Sequence, residues 1–216
     1  MNMKNLSLLA AVACLSLTAC SENPADNVPA ADVKSAAPAP AAAAVAKTYA
    51  FGPETSKVGF VGYKVTGSHA GGFAKFAGEL NVVDGKVAAA GSKVVLEVAS
   101  LFSDAEKLTG HLKGPDFFDA AKFPTATFAA TDIEHGATNS VVTGNLSLHG
   151  VTKQISFPAT IQVSDSAVSL AAEFSINRFD FEIKYPGRTD DLIRQEVVLK
   201  LKVEAKPGKA TFPTAG

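Results

Sequence analysis

Residues 151–163 alternate without a break, and that pattern constrains the fold more than any other feature of the chain. Val151, Lys153, Ile155, Phe157, Ala159, Ile161 and Val163 fall on one face, and Thr152, Gln154, Ser156, Pro158, Thr160 and Gln162 on the other. Period two over this length is a long strand with one buried face. Pro158 cannot donate to a ladder, so a bulge or bend is expected there. Val168, Leu170, Ala172, Phe174 and Ile176 make a second apolar face, and Val197, Leu199, Leu201 and Val203 a third. Val142, Leu146 and Leu148 give a shorter one. His149-Gly150 and Asp165-Ser166 separate these runs, and short turns between alternating runs predict antiparallel hairpins. Further strands are expected at 57–66, 73–82, 93–99 and 125–133, with the glycines of "TGSHAGG", around His69, serving a turn. About eight antiparallel strands, each with one apolar face, form a closed up-and-down barrel or a sandwich. An eight-stranded barrel is either filled by its own side chains or holds one small ligand.

Residues 104–121 break the pattern. Ser103-Asp104-Ala105-Glu106 has capping-box spacing, and Leu108 and Leu112 share a helical face, so one or two short helices are expected there. They would cover the mouth or side of the barrel.

The N-terminus is an address rather than part of the core. Lys4 precedes the apolar run Leu6–Ala13, which is shorter than the roughly 20 residues of a membrane-spanning helix and has the size of a signal-peptide apolar segment. Leu17-Thr18-Ala19-Cys20 resembles a bacterial lipobox. That resemblance implies a signal peptide at 1–19, acylation of Cys20, and a protein held in the bacterial envelope, facing the periplasm. Ser21 after the cysteine favours the outer membrane. Residues 20–47 are rich in Ala and Pro and read as a disordered tether. The folded domain is expected at 48–206, followed by a flexible tail at 207–216.

Both cysteines, Cys14 and Cys20, lie in the signal and lipobox, so the domain has no disulfide, thiol nucleophile or thiolate metal site. A formal charge of −1 carries no basic excess for nucleic acid. His69, His111, His135 and His149 are all more than four residues apart, and no metal or other cofactor is expected. Ser147 lies near His149 but lacks the strand–turn–helix elbow of a serine hydrolase. Asp190-Asp191 are adjacent loop residues without the fixed geometry of an acid/base pair. No catalytic set emerges. The 14 Phe, with Trp absent, suit either an apolar lining or an ordinary core. Arg178 and Asp180 would share a strand face, as a local ion pair or with Arg178 meeting an anionic ligand head. Lys64 carries the same two readings.

The segments "SKVGFVGYKVTGSHAGGFAKFAGEL", "LTGHLKGPDFFDAAKFPTATFAATDI" and "VTGNLSLHGVTKQISFPATI" together resemble the YceI-like domain, a bacterial polyisoprenoid-binding family. The likeness spans about 48–205. It is most specific at His111-Leu112, Asp116-Phe117-Phe118 and Phe123-Pro124, then at Gly144, Leu146, Leu148 and Gly150-Val151-Thr152-Lys153. It implies an all-β, lipocalin-like closed antiparallel barrel whose interior takes a long isoprenoid, such as a quinone or prenyl phosphate, or a similar lipid. The expected function is thus a non-enzymatic lipid binder or carrier. A filled barrel acting in envelope stress or protein interaction, or a hydrolase, is the alternative. No protein partner is specified. The expected apolar lining is Phe60, Phe73, Phe76, Leu96, Phe117, Phe118, Leu146, Leu148, Ile155, Phe157, Ile161, Leu170, Phe174, Ile176, Leu199 and Leu201. Head-group candidates are Lys64, His69, His111 and Arg178. Many members carry Arg-Asp before the x-His-Leu of the helical segment; here those positions are Leu108 and Thr109, which implies a different head-group preference if that pair touches a ligand.

Overall fold

The computed structural model describes residues 23–41 and 47–213. The signal-peptide and Cys20 readings fall outside them. The described chain forms β1 (Asp32–Ser35), β2 (Lys47–Phe51), β3 (Lys57–Lys64), β4 (Gly67–Phe73), β5 (Phe76–Val83), β6 (Lys86–Glu97) and β7 (Leu101–Ser103). After α1 (Glu106–Lys113) come β8 (Thr125–Glu134), β9 (Ser140–Leu148), β10 (Val151–Val163), β11 (Val168–Asn177), β12 (Gly187–Arg188) and β13 (Asp191–Pro207).

The strands close into an eight-stave antiparallel barrel. β2 and β3 follow one another along the same edge of β13, and β5 and β4 pair with them in turn, so each couple acts as one interrupted stave. From there the ladder runs through β6, β8, β9, β10 and β11 and returns to β13. Strand alternation places one face of each stave in the lumen. The β5–β6 and β9–β10 connections are two-residue turns with positive φ at both positions, Asp84-Gly85 and His149-Gly150. Their backbone twist matches the strands they join.

Four local expectations are corrected. "TGSHAGG" is strand β4 rather than a turn. Its glycines are required by crowding: a Cβ on Gly71 would come within 2.5 Å of the Phe60 ring. The helix expected between 104 and 121 forms as α1, but Ala105 caps it without a side-chain hydrogen bond, so the capping box is not made. Ser103 Oγ instead donates to the Ala105 carbonyl at 2.9 Å. Arg178–Phe181 is a 3₁₀ turn rather than a strand end. Finally, Pro158 lies in unbroken register opposite Val141, without a bulge.

The position of Pro158 exposes a seam. β10 pairs with β11 only near their hairpin, through Thr160–Val163. Farther along the two strands part, and β1 fills the gap, pairing with 153–156 of β10. Pro158 falls between the β1 and β11 ladders, where that edge of β10 has no partner to use a donor. On the other side of the gap the Ala31 and Ser175 amides donate to the Ser175 and Pro29 carbonyls at 2.8 and 2.9 Å. Asn23 reaches Glu196 at 3.1 Å, and Ala25 is buried. Residues 23–41 are therefore a strap that completes the wall, not the disordered tether expected from their composition. β10 and β11 offer unpaired edges, and pairing satisfies main-chain groups whatever the side chains. The expected C-terminal tail is likewise held through residue 212. Gly208 N donates to the Thr48 carbonyl, Ala210 N to Glu79 Oε1 at 2.8 Å, and Lys93 Nζ lies 4.3 Å from the Phe212 ring centre.

Candidate functional site: an apolar cavity with a polar mouth

The barrel is hollow. Its lumen holds a cavity of about 500 Å³, within the usual range for small-molecule sites. Phe157 and Phe174 stack on the wall with ring centres 4.1 Å apart and planes 7° from parallel. Phe60, Phe73 and Phe118 form a chain of edge contacts at 6.4 and 6.2 Å.

Glycines opposite large rings keep the space open. Where Gly78 would carry a Cβ, three atoms of the Phe51 ring lie within 2.6 Å. Phe128 covers Gly144 in the same way, and Phe60 covers Gly71. Each ring lies over a glycine on the wall instead of projecting into the lumen. At the end away from α1, the lining residues Val87, Val142 and Val203 are buried. At the other end, partly exposed Lys64, His69 and His111 join Tyr185 and Arg188 around a mouth.

Of the sixteen expected lining residues, the structure puts Phe60, Phe73, Leu96, Phe117, Phe118, Leu146, Leu148, Ile155, Phe157, Leu170, Phe174, Ile176, Leu199 and Leu201 in the cavity wall. Phe76 and Ile161 are corrections. Phe76 is buried behind Phe51, 6.4 Å between ring centres, because Phe51 folds over Gly78 and takes the lumen-facing place. Ile161 packs into the core near the β10–β11 hairpin, outside the cavity wall. Sequence reasoning missed Phe51, Phe128, Tyr185 and Ile193. Phe128 alternates with its β8 neighbours and was legible; Tyr185 lies in a loop, where no period marks it.

All four head-group candidates border the cavity, and each is engaged with the protein. Lys64 pairs with Asp191, which also accepts from Thr66 N and Oγ1 at 3.1 and 3.0 Å. The Lys64 bond, ahead of those from Thr66, holds the Asp191 carboxyl below its ordinary pKa. His69 Nδ1 lies 2.8 Å from Asp104, whose other oxygen accepts from Ala70 N at 2.9 Å. The Ala70 amide, followed by His69, lowers the Asp104 pKa. His111 Nε2 lies 2.9 Å from Asp116, and its ring meets Phe117 and Tyr185 edge-on at 5.0 Å. Arg178 is 5% exposed and donates to three carbonyls: Arg194 at 3.0 Å, Ile183 at 2.6 Å and Ile193 at 3.3 Å. Burial lowers its pKa. Its first task is to clamp Ile183, just past the 3₁₀ turn, to the start of β13, and the expected pair with Asp180 is replaced by these carbonyls. Leu108 lines the mouth, while Thr109 Oγ1 accepts from Ser103 N at 2.8 Å. Among the described residues no three His, Cys, Asp or Glu side chains gather as a metal site.

A closed eight-stave antiparallel barrel around an apolar cavity, with a polar mouth beside one helix, defines a lipocalin-like class of protein. The YceI-like domain model matches residues 49–205, and the chain belongs to that family. It is 32% identical over 134 residues to a UPF0312 protein of Pseudomonas putida, covering 59% of this chain and 70% of that one. A UPF0312 protein of Pseudomonas syringae pv. tomato is 34% identical over 137 residues, covering 60% and 71%. Among solved structures, Burkholderia cenocepacia BcnA is 25% identical with a TM-score of 0.63, over 71% of this chain and 98% of that one. A polyisoprenoid binding domain from Saccharophagus degradans, implicated in plant cell wall breakdown, shares the fold at 17% identity. Its TM-score is 0.61, over 76% of this chain and all of that one. The strap at 23–41 lies outside the family match.

Proposed function

We propose that this protein is a non-enzymatic lipid carrier of the bacterial envelope, holding one long isoprenoid chain in its lumen. The single observation that carries this reading is the predominantly apolar cavity of about 500 Å³, closed at one end and with Lys64, His69 and His111 gathered at its mouth. Burying ten methylene equivalents there is worth roughly 8 kcal/mol gross, of which association and chain ordering remove several. Binding at micromolar strength or better follows without a charged anchor.

The mouth favours an uncharged head, such as a quinone or alcohol, over a phosphate. Lys64, His69 and His111 each face a carboxylate, and Arg178 is committed to carbonyls. A phosphate would have to compete with those partners. Leu108 adds an apolar side chain to the same rim.

Lipidation at Cys20 holds the carrier on a membrane, with Ser21 favouring the outer one. Fractionating cells that express Cys20→Ala tests the anchor: the variant is expected in the soluble fraction, and unchanged membrane retention rejects it. Titrating the purified protein with prenyl quinone, prenyl alcohol and prenyl phosphate of equal chain length tests the head. The neutral lipids should bind at least tenfold tighter, and a preference for the phosphate rejects the neutral-head reading.

A further inference from the structure

We propose that the mouth of the barrel rests on the lipid bilayer to which Cys20 is anchored, with the tips at Val65 and Leu192 in contact with the membrane surface. This rests on the lipid-anchored carrier reading above.

The strap sets the geometry. Had residues 23–41 been a free tether, the anchor would leave the barrel in any orientation. Asn23, however, is bonded to Glu196 on β13, and only three peptide steps separate it from Cys20. Three residues span at most about 10 Å. Glu196 stands opposite Asn177, one position from the Val197–Gly62 pair. The β3–β4 tip begins about three residues above Gly62, roughly 10 Å higher along the strand. An acylated Cys20 can therefore reach the level of the mouth. The far end of the barrel, with the β5–β6 and β10–β11 turns, lies roughly 30 Å away along the strands. Acyl chains fixed at residue 20 bring the mouth end to the bilayer.

The rim itself suits a lipid surface. Large apolar side chains exposed among the described residues are few, and two meet at the mouth: Val65, 63% exposed, and Leu192, 50% exposed. Val65 N donates to the Leu192 carbonyl at 3.1 Å, so the two tips move as one. Beside them, Lys64 and Arg188 are matched by Asp191 and Asp190. Contact is thus apolar rather than electrostatic and should depend little on salt. Two side chains alone are too small to hold a protein on a membrane; the acyl chains hold it and the tips orient it. The consequence for transfer is large. Each methylene drawn through water costs roughly a factor of four, so ten cost about a millionfold. A mouth seated on the bilayer avoids that step.

The absence of tryptophan makes single-Trp reporters clean. The full lipidated protein, carrying Leu192→Trp, Val65→Trp or Ser166→Trp, is reconstituted into phosphatidylcholine vesicles with and without brominated acyl chains. Ser166 lies exposed in the β10–β11 turn at the far end. Bromolipid should quench both rim reporters at least twofold, with a blue-shifted emission, and leave Ser166→Trp unchanged in low or high salt. Equal quenching of Ser166→Trp, or unquenched rim reporters on protein that still floats with vesicles, overturns the docking alone. Protein that does not float overturns the anchor and the docking with it. Prenyl lipid retained by the same sample reports on the cavity independently of either.

Discussion

Gly78→Ala is a minimal change that should narrow the cavity without breaking the barrel. No positive φ is imposed at this glycine, so alanine fits the backbone, and the nearest atoms to its methyl group belong to the Phe51 ring. Three ring atoms lie within 2.6 Å of the new Cβ, whereas carbon atoms settle about 3.5–4.0 Å apart. The ring must move by at least about 1 Å, and it faces the lumen. Full displacement claims space of the order of 150 Å³, the size of a cavity that holds one benzene, against about 500 Å³ available. Expelling roughly three methylenes of bound lipid costs about 2.4 kcal/mol, or about fifty-fold in affinity. Overpacking costs about 1–3 kcal/mol, offset by about 0.5–1 kcal/mol from removing glycine from a strand. Net destabilisation therefore stays below about 2.5 kcal/mol. Thermal melting and a prenyl-lipid displacement titration measure the two effects, and Phe51→Leu in the same chain should restore affinity. A well-folded Gly78→Ala protein that binds prenyl lipid as tightly as the parent refutes the argument that rings over glycines keep the lumen open.

Leu148→Trp should leave the fold standing and lower lipid uptake, because Leu148 faces the cavity; Ile161→Trp should chiefly lower the melting temperature, because Ile161 packs outside the wall. Equal effects in both assays would contradict that placement. Ala31→Pro removes the donor to the Ser175 carbonyl and should cost about 1–3 kcal/mol. Hydrogen exchange should then quicken at 153–156 and around Ser175, and unchanged exchange there would show that the strap does not seal the seam. The Asp191 carboxyl titrates below its ordinary value, so its bonds to Lys64 and Thr66 contribute stability above about pH 4 that fades as pH falls through the lowered pKa. Exchange at Thr66 should rise on acidification in the parent, whereas Asp191→Asn should show the loosened rim at neutral pH already. An identical acid profile in the two proteins rejects the assignment.

The staves that were legible in the sequence are those whose two faces differ most. β10 alternates because one face meets the lumen and the other meets solvent, and β11 and β13 follow the same rule. β4 was hidden because Phe60 and the Phe102 carbonyl occupy the space where a side chain at 71 would stand, and the Val58 carbonyl the space at 72, leaving Gly71 and Gly72. β1 was hidden for another reason. Its side chains, Asp-Val-Lys-Ser, have little to bury, and it is a strand because β10 and β11 part and leave edges to be paired. The apolar lining could be read from alternation wherever the register was plain. The hollow itself could not, since it depends on which ring falls opposite which glycine across the ladder. Arg178 misled for a similar reason: its neighbour Asp180 suggested an ion pair, while its real partners are carbonyls at 183, 193 and 194.

Native mass spectrometry of the mature protein, extracted from its own envelope in mild detergent, tests the central claim most directly. One non-covalent adduct per chain is expected, released on activation as a single long-chain prenyl lipid with an uncharged head and present at lower occupancy in Gly78→Ala. A mass equal to the acylated chain alone in every preparation, with no uptake of added prenyl quinone or alcohol, would contradict it.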